Sequence, residues 1–225
     1  MKTAKATPSV KRVVLTSSSL AVVHPVPNKK FHVTPKDWNE TDPKLAWAPP
    51  PYEDRGFPVY GASKVEGEQA AWEFVKTEKP QFTLNCVNPN FNIGEKLEPN
   101  APGSTAGWVA NMYKGDENMI KMLQSFPPQF YIDVKDDARL HVAALTHKDV
   151  ANERLLGFAG PFNYQTWVDV LKKIDPSKSY PPATSDDKDL STYEQGRSVE
   201  LLKRFGQDGW TPLETWVREL LASSA

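Results

Sequence analysis

The chain has 225 residues, with 27 Lys and Arg against 28 Asp and Glu for a formal net charge of −1. Hydrophobic residues make up 39%, aromatics 11% and charged residues 24%, a globular composition whose length falls between one domain and two. The charge balance excludes the basic surface that a nucleic acid or an anionic membrane partner needs, and no window approaches the ~18 consecutive apolar residues of a membrane span.

Lys2 to Ala6 reads as the last turn of a helix, closed by Thr7-Pro8. Lys11 to Ser19 follows, with the apolar run Val13-Val14-Leu15 flanked by charge and ended by Thr16-Ser17-Ser18-Ser19, the pattern of a buried parallel strand. Residues 21–58 are rich in proline and hold Trp38 and Trp47, and a connection that long is a functional lid or an insertion. Tyr60 opens a helix in which Ala62, Val65, Gln69, Trp72 and Val75 recur near helical spacing, until Lys79-Pro80 stops it. Phe82 to Pro89 is a second strand. Strand, crossover helix and strand make a βαβ unit, whose strands run parallel.

Glu95 to Thr105 reads as a loop, and Ala106 to Gln124 as helix interrupted at Gly115-Asp116. Phe130 to Val134 is a short strand, and Asp136 to Leu145 a helix that Asp136 caps. Leu155 to Ala159 is another strand; Thr166 to Ile174, Ser198 to Phe205 and Pro212 to Leu221 are amphipathic helices. The predicted fold class is α/β.

Tyr60 and Lys64 are the first candidates for chemistry. Four residues apart on a helix, they share one face, and an ammonium near a phenol favours the phenolate. Such a tyrosine can protonate an alkoxide as it forms. The same spacing recurs at Tyr131 and Lys135, but across a predicted strand, where four residues at about 3.3 Å each span roughly 13 Å and cannot act as a unit. Ligands of an open parallel sheet bind beyond the carboxyl ends of its strands, so the hydroxyls of residues 16–19 and the Tyr60 end of the helix face one crevice. A serine donor beside a tyrosine acid would hold a carbonyl oxygen and stabilise the charge developing there. Taken alone, the hydroxyl cluster is also an ordinary strand ending.

Four segments recur in a familiar order: Val10 to Ser19, the Tyr60-Gly-Ala-Ser-Lys64 core, Asn88-Pro-Asn-Phe-Asn-Ile-Gly94, and Asp133 to Leu145. Together they resemble the extended short-chain dehydrogenase/reductase family. The insertion at Asp37-Trp38-Asn39-Glu40 and the closing Gly209-Trp210-Thr211-Pro212-Leu213-Glu214 resemble its fungal and yeast aldehyde and ketone reductases, which are related to plant dihydroflavonol reductase. The resemblance implies a Rossmann-type sheet, doubly wound and here incomplete, with a mostly helical C-terminal substrate lobe. Residues 1–94 correspond to the rear part of the NAD(P)-binding domain, and 95–225 to the substrate lobe interleaved with late sheet strands.

The same resemblance implies the roles of individual residues. Ser18 polarises the substrate carbonyl, Tyr60 gives the proton, and Lys64 tunes Tyr60 and holds the nicotinamide ribose. Thr16, Ser17, Pro89, Asn90, Phe91 and Asn92 join Tyr60 and Lys64 in the cofactor site. Ser19, Trp47, Phe126 and Gln129 line the substrate pocket. Asp136, Arg139 and His141 belong to a family signature of structural role. The implied cofactor is NADP, with NAD as the alternative, and the implied partner is a small-molecule carbonyl compound, conceivably of polyketide type in fungal secondary metabolism. Related branches using the same three residues are epimerases and dehydratases, the nearer alternative reading.

The family's strand, glycine-rich turn and helix, which hold the pyrophosphate, have no counterpart among the 12 glycines here. The resemblance therefore implies a truncated reductase, a catalytic half that pairs with a second polypeptide, or a non-catalytic homologue that serves as a binding or regulatory fragment. The serine strand is then expected to lie at an open sheet edge. His24, His32, His141 and His147 lack metal-ligand spacing, so no metal is expected. Cys86, the single cysteine, allows no internal disulfide and fits a reducing, cytoplasmic compartment, in keeping with an N-terminus that shows no secretory signal.

Overall fold

Two apolar runs separated by a long crossover build the centre of the molecule. The computed structural model describes residues 1–95, 97–98 and 104–223. A helical turn, α1 (Lys2–Lys5), precedes strand β1 (Arg12–Thr16). The crossover then holds β2 (His32–Val33), α2 (Thr41–Ala46) and the long α3 (Gly56–Glu78) before β3 (Thr83–Pro89) returns parallel to β1, with Val13 opposite Leu84 and Leu15 opposite Cys86. Strand β4 (Phe91–Ile93), helices α4 (Thr105–Lys114) and α5 (Glu117–Ser125), strand β5 (Gln129–Asp133) and α6 (Val134–Thr146) come next. The rest is β6 (Arg154–Gly157), β7 (Gly160–Phe162), α7 (Tyr164–Ile174), β8 (Thr192–Tyr193), α8 (Gly196–Lys203) and α9 (Leu213–Ser223).

Strands β1, β3 and β6 form a parallel sheet in that order, so β1 is an edge strand and its Val13, Val14 and Leu15 are half-buried. Alternation along β3 sends Leu84 and Cys86 to one face, where they pack with Ala71, Trp72 and Val75 of α3. Val87 goes to the other face, against Leu140, Ala143 and Ala144 of α6 and Leu201 and Leu202 of α8. Helices on both faces are what an all-parallel sheet requires, and they account for its continuous apolar sequence. A second sheet, β4-β5-β7, pairs β4 parallel and β7 antiparallel to β5, and carries the aromatic core of the C-terminal half around Phe91, Trp167 and Trp216. Strand β2 pairs with β8.

Several boundaries differ from the sequence reading. Helix α3 begins at Gly56, about a turn before Tyr60, because Pro58 lies in the first turn, where a missing N–H breaks no helical bond. Gln69 is exposed, and Glu68 takes the buried position instead. Helix α6 is capped by Asp133, whose side chain accepts from the N–H groups of Lys135 and Asp136; Asp136 is buried inside the first turn and bonds Arg139 and Thr211. The short strands β2, β4, β7 and β8 are additions. Of the predicted loop 95–105, residues 96 and 99–103 lie outside the described residues, and Thr105 already belongs to α4.

Candidate active site

At Thr16 the β1 ladder ends; the Ser17 N–H makes one more bond to Val87, and the backbone then turns. Ser18 is extended, and its Oγ accepts from the Leu20 N–H at 3.2 Å, capping a single helical turn at Ser19–Ala21. Ser18, Ser19 and Leu20 thereby reach a cavity of about 430 Å³ at the carboxyl end of the sheet. The first turns of α3 bring Gly56, Phe57 and Tyr60 to it. Asn90 and Phe91 enter from the β3–β4 connection, and Phe126 and Gln129 from the approach to β5. Trp108 of α4 completes an apolar wall, its ring 5.6 Å from that of Phe126 and 5.7 Å from that of Phe91.

Tyr60 is 49% exposed, and the Lys64 Nζ lies 5.7 Å from the centre of its ring. Among the described residues Lys64 has no carboxylate partner, so its ammonium is free to meet a hydroxylated ligand. Thr16 turns instead to His141, whose Nε2 is 2.8 Å from the Thr16 Oγ1 and whose Nδ1–H donates to the Asp137 carbonyl at 2.8 Å. Burial opposes a charge on His141, but hydrogen bonds and charge from Asp137 outweigh it and hold its pKa above the usual imidazole value.

Ser17 faces away from the cavity, its hydroxyl donating to Glu68 at 2.5 Å. Pro89 sits in the ladder opposite Gly157, and the Asn90 N–H donates to the Gly157 carbonyl. The Asn92 carbonyl accepts from the Thr105 hydroxyl, while its buried Oδ1 has no hydrogen-bond partner among the described residues.

The residues expected at the site thus divide. Ser18, Ser19, Tyr60, Asn90, Phe91, Phe126 and Gln129 line one cavity, with Lys64 a turn beyond Tyr60. Thr16, Ser17, Pro89 and Asn92 stand behind or beside it. Trp47 does not reach it: at the end of α2 it is 75% exposed, with its indole donating to Glu66. The lining residues Leu20, Phe57 and Trp108 went unread in the sequence. Phe57 lay in what reads as loop, and Trp108 on a helix whose facing surface no local pattern reveals.

No family model matches the chain. It is 41% identical to an NAD-dependent epimerase/dehydratase of Aspergillus terreus, over 99% of this chain and 66% of that protein. It is 37% identical to aldehyde reductase 2 of Sporidiobolus salmonicolor, again over 99% and 66%. Among solved structures, Gre2 of Candida albicans in complex with NADPH superposes with a TM-score of 0.70 at 26% identity, covering 96% of this chain and 65% of that one. The chain therefore spans just under two thirds of the length of these three proteins.

Proposed function

The chain belongs to the extended short-chain dehydrogenase/reductase family, and on that footing we propose that it serves the reduction of an aldehyde or ketone to an alcohol, with NADPH as cofactor and NADH as the alternative. The observation that carries this reading is the shared cavity: Ser18 and Tyr60 come from different elements and line the same space, with the Lys64 ammonium, which has no carboxylate partner among the described residues, beside the Tyr60 ring.

The donor set fits the nicotinamide end of such a cofactor. Lys64 would hold the ribose hydroxyls, and the β3–β4 connection, which brings Asn90 and Phe91 to the cavity, would flank the ring. The bound cofactor supplies the hydride. Ser18 donates a hydrogen bond to the substrate oxygen and stabilises the charge that develops on it. Tyr60 hands its phenolic proton to that oxygen, and the Lys64 ammonium stabilises the phenolate left behind. Phe57, Phe91, Trp108 and Phe126 exclude water and favour an apolar carbonyl compound, with Gln129 as a polar anchor.

Residues 1–94 belong in this reading to the cofactor domain and 95–225 to the substrate lobe. A cytoplasmic role in fungal secondary metabolism goes with the proposal, supported by the free, buried thiol of Cys86 and the fungal source of the Aspergillus relative. The name of that relative also favours a second reading, an epimerase or dehydratase using the same three side chains. Titration with NADPH and NADH, followed by tryptophan fluorescence, and then assay on a panel of aldehydes and ketones tests the first reading. Saturable micromolar binding with alcohol formation supports it; binding of neither cofactor contradicts it.

A further inference from the structure

Glu68 is 1% exposed, and both its carboxylate oxygens are engaged. Its Oε2 accepts from the Ser17 hydroxyl at 2.5 Å and from the Asn88 amide at 2.8 Å. Its Oε1 accepts from Arg154 Nε at 2.6 Å and from the Trp72 indole at 3.1 Å. Burial pushes the carboxyl up, but the Arg154 guanidinium and the other donors outweigh it and hold the group below its ordinary value. Arg154 is itself fixed: its Nη1 donates to the carbonyls of Pro35 and Asp37, and its guanidinium lies 3.9 Å from the centre of the Trp38 ring.

The pair with Arg154 neutralises the buried charge. The other donors do something different. Ser17 precedes Ser18, and Asn88 precedes Pro89 while its amide also donates to the Ser18 carbonyl at 3.2 Å. Glu68 in turn follows Tyr60 and Lys64 at four-residue steps along α3, on the same helix face. One carboxylate thus joins the helix face bearing the acid to the turn bearing the serine and to the end of β3.

We propose that Glu68 is a positioning residue: it holds the Ser17–Ser18 turn in register with α3, so that the hydroxyls of Ser18 and Tyr60 meet a single substrate oxygen. This rests on the reading of the cavity as a carbonyl-reducing site. An error of about 1 Å in such an alignment is enough to cost on the order of 100-fold in rate.

Two variants test it. Ser17→Ala cuts the link to the turn and leaves the Glu68–Arg154 pair in place; Glu68→Gln weakens every link. Hydrogen exchange is read at the amides of residues 20–23, which bond to Ser18 and Ser19. The expected result in Ser17→Ala is exchange about tenfold faster in that turn and unchanged in α9, with kcat for carbonyl reduction lowered at least about tenfold and KM within about twofold. Glu68→Gln moves the same quantities further. Unchanged exchange in the turn, an equal rise in α9, or an unchanged kcat overturns the proposal. A wild-type chain that reduces no carbonyl compound sinks the reading of the cavity instead, and the exchange pattern then decides the role of Glu68 by itself.

Discussion

Gly61 rests against Asp42: a Cβ added to Gly61 would stand 1.9 Å from the Asp42 Oδ2. The carboxylate cannot retreat, because it is fully buried and accepts from the Asn39 amide at 2.6 Å, with the His24 Nδ1 at 2.7 Å. Helix α3 must therefore shift if Gly61 gains a side chain, and Tyr60 is the preceding residue. Gly61→Ala should lower stability by about 1–3 kcal/mol, in line with overpacking of a filled site. Urea unfolding reads the loss. A stability equal to that of the wild type would show that α2 and α3 can separate.

Phe126 stands at the centre of the apolar wall, its ring 5.6 Å from Trp108, 5.7 Å from Phe91 and 6.2 Å from Phe57. If this wall binds the apolar part of a carbonyl substrate, Phe126→Ala removes contact worth roughly 1.5–3 kcal/mol. The KM for large apolar ketones should then rise about tenfold or more, while that for small aldehydes changes little. Steady-state kinetics over a size series reads this, and an equal effect on large and small substrates would contradict it.

Asp133 gives the chain a specific pH response. It is 1% exposed, its Oδ1 caps α6, and its buried Oδ2 has no hydrogen-bond partner among the described residues. Burial pushes its carboxyl up to about 6, against the pull of the Lys135 and Asp136 N–H groups and with help from the Asp136 charge. Because the folded pKa is the higher one, the folded state holds the proton more tightly. The stabilisation is complete below the unfolded value near 4 and is lost as pH rises through about 6. A shift of roughly 2 units corresponds to about 3 kcal/mol. Asp133→Asn keeps a capping side chain without the titration. Between pH 4 and pH 7.5 the wild type should lose about 2.5 kcal/mol more than this variant in urea unfolding, and parallel pH curves would refute the assignment.

The parallel pairing of β1 with β3 is legible in the sequence because two apolar runs joined by a helical crossover leave one handed topology. The hydroxyls after β1 and the Tyr60–Lys64 spacing are legible for the same reason, since the sheet's carboxyl end is where they must meet. The start of α3 is not. Pro58 suits both a proline-rich loop and the first turn of a helix. The cap of α6 is ambiguous in the same way, as Asp133 and Asp136 both favour a helix N-terminus and only the end of β5 decides between them. Glu68 escapes notice because its partners stand at positions 17, 88 and 154, which no local pattern connects. Trp47 differs for another reason: only the resemblance assigns it to the pocket wall, and its ring lies open to solvent at the end of α2.

The most direct test of the central claim is the rate of NADPH-dependent carbonyl reduction by Tyr60→Phe, which keeps the ring and removes the proton. General acid catalysis of this kind contributes about 10²- to 10⁴-fold, so kcat should fall at least about 100-fold while NADPH binding, followed by tryptophan fluorescence, stays within about twofold. Reduction at the wild-type rate by Tyr60→Phe would contradict the assignment of Tyr60 as the acid, and with it the mechanism.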